Sequence, residues 1–158
     1  PAASIYNKTA GFQGEATLNG LSYLKTENPN EALAIEWFKK NTGVKDRVLE
    51  AVGSDYDAKS SRISTTTGIP TLLGWPGHER QWRGENIEIE NRENLVNKLY
   101  KSKEVEFIKE ALSKYGVTYV YVGSRERAQY GNPPLEKLSE VLKPVFISGD
   151  VSIYKYRG

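Results

Sequence analysis

The stretch "YGVTYVYVG", residues 115–123, decides how the chain is read. Val105, Ile108, Leu112 and Tyr115 recur at helical spacing, and Gly116 ends their helix. A run of β-branched and aromatic residues follows at once. Such a run between a helix stop and Gly123 predicts a buried strand, with Tyr119 and Tyr121 on one of its faces. A strand entered directly from a helix is half of a crossover unit, which asks for a parallel partner.

Upstream, "NPNEALAIEWFKKNTG" predicts a helix. Asn28 caps it, Pro29 takes the first helical position, Glu31 completes a capping box and Gly43 stops it. Leu33 and Trp37 share one face, as do Ala34 and Phe38. "DRVLEAVG" reads as a short buried strand. A polar loop, "SDYDAKSSRISTTTG", leads to a second short strand over residues 70–75. Asn91 is placed to cap a helix through about Tyr100, and Ser102 to cap the next one. Downstream, Pro134 opens a short helix carrying Leu135, Leu138, Val141 and Leu142. "KPVFISGDVSIYKYRG" reads as two strands turning at Gly149-Asp150. The fold class is therefore α/β: a small, mainly parallel sheet with helices packed on it in Rossmann-like layers, closed by a C-terminal antiparallel hairpin. Residues 28–158 form one α/β domain. Residues 1–27, punctuated by Gly11, Gly14 and Gly20, read as a lead-in arm.

Composition narrows the function classes. The 158 residues suit one domain, and 22 Lys plus Arg nearly balance 20 Asp plus Glu. These charges are interspersed, so no basic stripe invites nucleic acid. There is no cysteine, hence no disulfide framework and no thiolate chemistry. No apolar run reaches membrane-spanning length, and no signal peptide is visible. The chain opens on Pro1 and holds no methionine, which reads as a piece of a longer protein.

The unusual side chains gather in "TTTGIPTLLGWPGHERQWRG", residues 65–84. Its glycines and prolines predict a specially shaped loop, and such loops carry function. His78 is the one histidine of the chain. Without a second histidine or any cysteine, a metal site there would have to be completed by carboxylates. No Gly-x-Ser-x-Gly elbow, dinucleotide fingerprint or Walker lysine is present. Arg62, Arg80 and Arg83 flank a hydroxyl-rich run that includes Thr67, and arginine forks hold phosphate or carboxylate. Trp75 and Trp82 can stack on a sugar ring or lie at a membrane surface. The plainer alternative makes Trp75 core, sets Trp82 over a helix end, and pairs the arginines with Glu79, Glu85 and Glu88. Arg125, Glu126 and Arg127 follow the carboxyl end of the central strand, where open α/β sheets gather ligands. They form a second rank of candidates.

The residues that carry a resemblance run from Ala34-Ile35-Glu36-Trp37, Glu50-Ala51-Val52-Gly53 and Arg62-Ile63-Ser64 through Thr67-Gly68-Ile69-Pro70. They continue with Gly74-Trp75, His78-Glu79, Gln81-Trp82-Arg83-Gly84, Tyr119-Val120-Tyr121-Val122-Gly123 and Glu126-Arg127. From about Asn28 onward the chain resembles the carboxyl-terminal portion of the YYY-type polytopic membrane proteins, a family with no assigned activity. The order of elements is similar, more distantly, to the soluble domain that follows the membrane helices in GT-C glycosyltransferases, including the oligosaccharyltransferase catalytic subunit. In those enzymes the donor is a sugar on a lipid phosphate, and the catalytic carboxylate lies in the membrane portion. The soluble domain helps to bind the acceptor. Residues 50–84 stand in the place of their acceptor-recognition motif, without its Trp-Trp-Asp letters.

The resemblance implies an extracytoplasmic domain that follows a last membrane helix and binds or positions donor or acceptor, with no catalytic residue of its own. Arg62, Arg80 and Arg83 would contact phosphate or an acceptor carboxylate. Trp75 and Trp82 would stack or anchor at the interface. His78 and Glu79 would meet hydroxyls, and Thr67 and Gln81 belong to the same ligand-binding set. No cofactor or metal is expected in this chain, although a divalent metal is compatible with the parent. The expected partners are its own membrane-embedded portion, a lipid-linked sugar and an acceptor, and not nucleic acid. Two rivals stand beside this reading: a structural or assembly domain, and a metal-dependent hydrolase around His78.

Overall fold

The computed structural model describes residues 11, 19–55, 57, 59–84 and 86–158. Among them the chain forms a four-stranded sheet with strand order β1-β2-β4-β3. The strands are β1 (Val48–Leu49), β2 (Tyr119–Val122), β3 (Leu142–Ser148) and β4 (Val151–Tyr156). The helices are α1 (Leu24–Glu27), α2 (Pro29–Asn41), α3 (Arg62–Thr67), α4 (Pro76–Arg83), α5 (Ile87–Lys101), α6 (Val105–Lys114) and α7 (Ser124–Tyr130), with a 3₁₀ turn over Pro134–Lys137. The α/β class and the terminal hairpin are as the sequence predicts.

The strand read from "VTYVYVG" is the centre of the sheet. It pairs parallel with β1 and antiparallel with β4. All four of its residues are buried, because helices cover both faces. Tyr119 and Tyr121 join Val48, Val151 and Ile153 in a core with Phe38 and Ile35 of α2 and Ile63 of α3. Val120 and Val122 face the other way, into a core with Val96, Leu99 and Tyr100 of α5 and Ile108 and Leu112 of α6. The helix before β2 stops at Gly116, which takes φ 61°. The next amide, Val117 N–H, returns to Leu112 O at 2.9 Å. A residue with a Cβ would be strained there.

The parallel pairing expected of the sheet is confined to β1 and β2. The hairpin adds the two antiparallel pairings, because β4 docks directly beside β2. The second strand expected over residues 70–75 is a single parallel bridge, Val48 to Thr71. Pro70 offers only its carbonyl, which accepts Val48 N–H at 3.0 Å, so a ladder cannot extend through it.

Helix boundaries moved for local reasons. Asn28 caps α2 by accepting Glu31 N–H, and its side-chain amide donates to Glu31 Oε2. The reciprocal half of the expected capping box does not form, because the Asn28 backbone N–H is already taken by Leu24 O at 2.8 Å at the end of α1. Asn91 lies inside α5. The cap is Asn86, which accepts Glu88 N–H, and the buried face therefore begins at Ile89. The segment read as loop over residues 65–84 contributes the end of α3 and all of α4. Pro76 stands at the first helical position of α4, where its missing N–H costs nothing, and Gly84 closes the helix with φ 73°. Ser124 to Arg127 are likewise helical. The arm expected over residues 1–27 lies mostly outside the described residues, and its end is α1, with Leu24 buried in the core.

Candidate functional site

Two clefts share Ser61 as a common wall. The first, of about 440 Å³, opens at the carboxyl ends of β1 and β2. The second, of about 410 Å³, lies between α3 and α4.

The first cleft is built by carboxylates. Glu50 follows β1 directly and is 3% exposed. Its two oxygens accept Ile63 N–H and Ser64 N–H, each at 2.9 Å, which ties β1 to the first turn of α3. Glu126, also 3% exposed, accepts Ala51 N–H at 2.8 Å and Gly123 N–H at 2.9 Å. It fastens the ends of both parallel strands to α7. Glu31 of α2 closes the third side and forms an ion pair with Arg62 at 2.9 Å. Burial pushes the Glu50 carboxyl up to about 7, against the amide hydrogen bonds that favour its charged form. Burial also raises Glu126 and Glu31, the latter in spite of the Arg62 guanidinium. Arg125 lies at the rim and donates to Asp57 at 2.8 Å. On the opposite side of the sheet ends, the Tyr100 hydroxyl sits 3.1 Å from Leu49 O and 2.7 Å from Tyr121 O, and its ring stacks on Tyr130 at 4.6 Å.

The second cleft is built by one cap. Asp55 accepts Gly77 N–H at 2.8 Å and His78 N–H at 3.3 Å, and so holds the start of α4. The approach is so close that a Cβ on Gly77 would fall 1.7 Å from Asp55 Oδ2. One turn along α4, Glu79 pairs with Arg83 at 2.9 Å, and both remain accessible. Trp75 meets His78 edge to face at 5.0 Å. Trp82 lies alongside and is 83% exposed, so it covers no helix end. The arrangement offers an indole face, a guanidinium and a carboxylate around an open groove.

The structure divides the sequence-derived set. Trp75, His78, Glu79, Trp82 and Arg83 gather in the groove by α4. Arg62, Arg125 and Glu126 belong to the carboxylate cleft. Thr67, Gln81, Arg80 and Arg127 line neither. The Thr67 hydroxyl donates to Ile63 O, Gln81 is exposed, Arg80 stands 3.8 Å from Glu93, and Arg127 donates to Asp150 O at 3.0 Å. Glu88, a foreseen partner for the loop arginines, pairs with Arg92 instead. Among the described residues no group of three or more His, Cys, Asp or Glu side chains is placed to hold a metal ion.

Sequence reasoning passed over Glu50, Asp55, Ser61 and Tyr121. A glutamate directly after a buried apolar strand is a usable signal, since a carboxylate there needs partners. Nothing in the sequence connects Asp55 to Gly77.

No protein-family model matches the chain, and no curated protein matches it. Among solved structures, it is similar to the crystal structure of the C-terminal globular domain of an oligosaccharyltransferase from Archaeoglobus fulgidus. The likeness has a TM-score of 0.52 at 13% identity and covers 91% of this chain and 100% of that one. At that identity the likeness establishes a shared fold. No helix among the described residues is long and apolar enough to cross a membrane.

Proposed function

We propose that this chain is the extracytoplasmic globular domain of a GT-C-like membrane glycosyltransferase of the YYY type that uses a polyprenyl-phosphate sugar. In this reading the groove by α4 faces the membrane-embedded site and positions donor or acceptor. Trp82 and Trp75 stack on a sugar or anchor at the interface, Arg83 meets phosphate or an acceptor carboxylate, and His78 and Glu79 meet hydroxyls. The catalytic carboxylate, and any divalent metal, belong to the rest of the parent.

The observation that carries the reading is the exposure of Trp82 and Arg83 side by side at an open groove. Tryptophan is favoured at interfaces where one side is apolar and the other wet, and here the indole stands beside a guanidinium at an open groove. The fold shared with an oligosaccharyltransferase domain agrees with it.

A second reading, a structural or assembly domain, is favoured by the internal pairing of Arg62 with Glu31 and of Arg125 with Asp57. An NMR titration with a soluble short-chain polyprenyl-phosphate sugar separates the two. Saturable shifts of the Trp75 and Trp82 indole signals, abolished by Arg83→Ala, are expected. Unchanged indole signals at millimolar ligand would sink the groove reading and leave the assembly role.

A further inference from the structure

We infer that the carboxylate cleft at the ends of β1 and β2 is a second binding site, for a neutral, hydroxyl-rich ligand of the sugar class. The inference concerns a different cavity, which shares only Ser61 with the groove by α4.

Three buried polar atoms at or just beneath the wall of this one cleft have no hydrogen-bond partner among the described residues: Tyr121 Oη, Ser61 Oγ and Arg125 Nε. Tyr121 is 5% exposed and Ser61 is 4% exposed. A buried hydroxyl without a partner is costly, and native folds rarely leave one unless water or a ligand serves it. That three such atoms converge here, outside the carboxyl ends of two parallel strands, is the position at which α/β sheets bind ligands.

The lining selects the ligand by charge. Burial holds the Tyr121 hydroxyl in its protonated form, and the carboxyl groups of Glu126, Glu31 and Glu50, which line the same cleft, add to this. A phosphate dianion would face all three. Arg62 and Arg125 are already paired and offer no unneutralised fork, yet their guanidinium groups disfavour an ammonium ligand, and the remaining charges of the lining, Glu27 and Lys59, are of opposite sign. What remains welcome is a neutral group that both donates and accepts. Sugar hydroxyls do both, and they suit Tyr121 and Ser61, whose hydroxyls are equally ambivalent. The volume of about 440 Å³ lies in the range of small-ligand pockets.

The test is an amide NMR titration of the full chain with methyl α-mannoside, methyl β-N-acetylglucosaminide and maltose, and with inorganic phosphate as the charged control. The signals to follow are Ala51 and Gly123, whose N–H groups are bound to Glu126. Saturable shifts with at least one glycoside and none with phosphate are expected. Tyr121→Phe removes only the unpartnered oxygen, so it should weaken binding about tenfold while melting at or above the wild-type temperature. Arg83→Ala should leave this binding unchanged, so failure of the groove reading would not touch it. Silence of both amides to all three glycosides, or a response to phosphate, would overturn the proposal. Undiminished binding by Tyr121→Phe, or a lowered melting temperature, would do the same, because the hydroxyl would then serve no ligand or serve the fold.

Discussion

The two clefts share Ser61 and differ in nearly everything else. The one at the sheet ends is lined by carboxylates that are buried and spoken for: Glu50 and Glu126 together accept four backbone N–H groups. In the groove by α4, Asp55 holds the start of the helix, and the charged pair stands in water. The carboxylates of the first are therefore bound up with stability, and the charged pair of the second is available for something else. The largest expected effect follows from the first half of that contrast. Glu126→Ala leaves two buried amides without an acceptor, each costing about 1–3 kcal/mol, so urea unfolding should show a loss of roughly 3 kcal/mol. Glu126→Gln, which keeps one acceptor oxygen, should lose less. A loss from Glu126→Ala as small as that of a surface substitution would erase the contrast.

Protonation sharpens it next. Burial pushes the Glu50 carboxyl up to about 7 from an ordinary 4.5. Between those values the folded chain holds a proton that the unfolded chain has released. Stability from this group is thus complete below pH 4.5 and is lost as pH rises through 7. The span corresponds to about 3 kcal/mol. Raised Glu126 and Glu31 carboxyls pull in the same direction, while Asp57, held low by the Lys59 amide and by Ser60 and Arg125, pulls weakly in the other. Urea midpoints measured from pH 4.5 to 8 should fall, and Glu50→Gln should flatten the fall. An unchanged slope in that variant would show that Glu50 is not the group responsible.

How far the sequence foretold this contrast depends on the scale at which it is read. The central strand, the Asn28 cap of α2, the stop at Gly116 and the hairpin at Gly149-Asp150 were all legible, because each is decided by residues within a few positions of one another. The short helices α3, α4 and α7 were not. Their sequences are rich in hydroxyls, glycine and charge, with few apolar residues to mark a period. α3 begins where a tertiary carboxylate, Glu50 from 13 residues before Ile63, meets its first turn, whereas α7 carries its own carboxylate, Glu126, which accepts Gly123 N–H locally and reaches back to Ala51 across 75 positions. The site residues were legible as a set and illegible as a partition. Arg62 and Arg83 read alike in the sequence, but Ser61 with φ 50° turns the chain so that Arg62 goes to Glu31 while Arg83 faces the groove.

A smaller effect probes the cap that holds the start of α4. Gly77→Ala places a methyl group on the Asp55 carboxylate, which has to withdraw from both amides at the start of α4. Losing such a cap costs about 1 kcal/mol. Asp55→Ala should cost the same, and the double variant no more than either alone, since both break one interaction. Thermal melts supply the three numbers. Additive losses would mean that Gly77 is needed for a reason other than Asp55.

The smallest expected effect is the one that gives the groove its meaning. The Arg83 and Glu79 side chains are 64% and 36% exposed and lie four apart on α4. An ion pair in that setting contributes at most about 0.5 kcal/mol and weakens with salt. Trp82 buries so little of itself that Trp82→Ala should change stability no more than an ordinary surface substitution. Arg83→Ala and Trp82→Ala should therefore melt within a degree or two of wild type, which corresponds to roughly 0.5 kcal/mol for a domain of this size. Melts of that kind would leave both side chains available for the ligand contacts proposed for the groove. If either variant instead melted several degrees low, the groove would be a structural seam, and the difference between the two clefts would be one of degree.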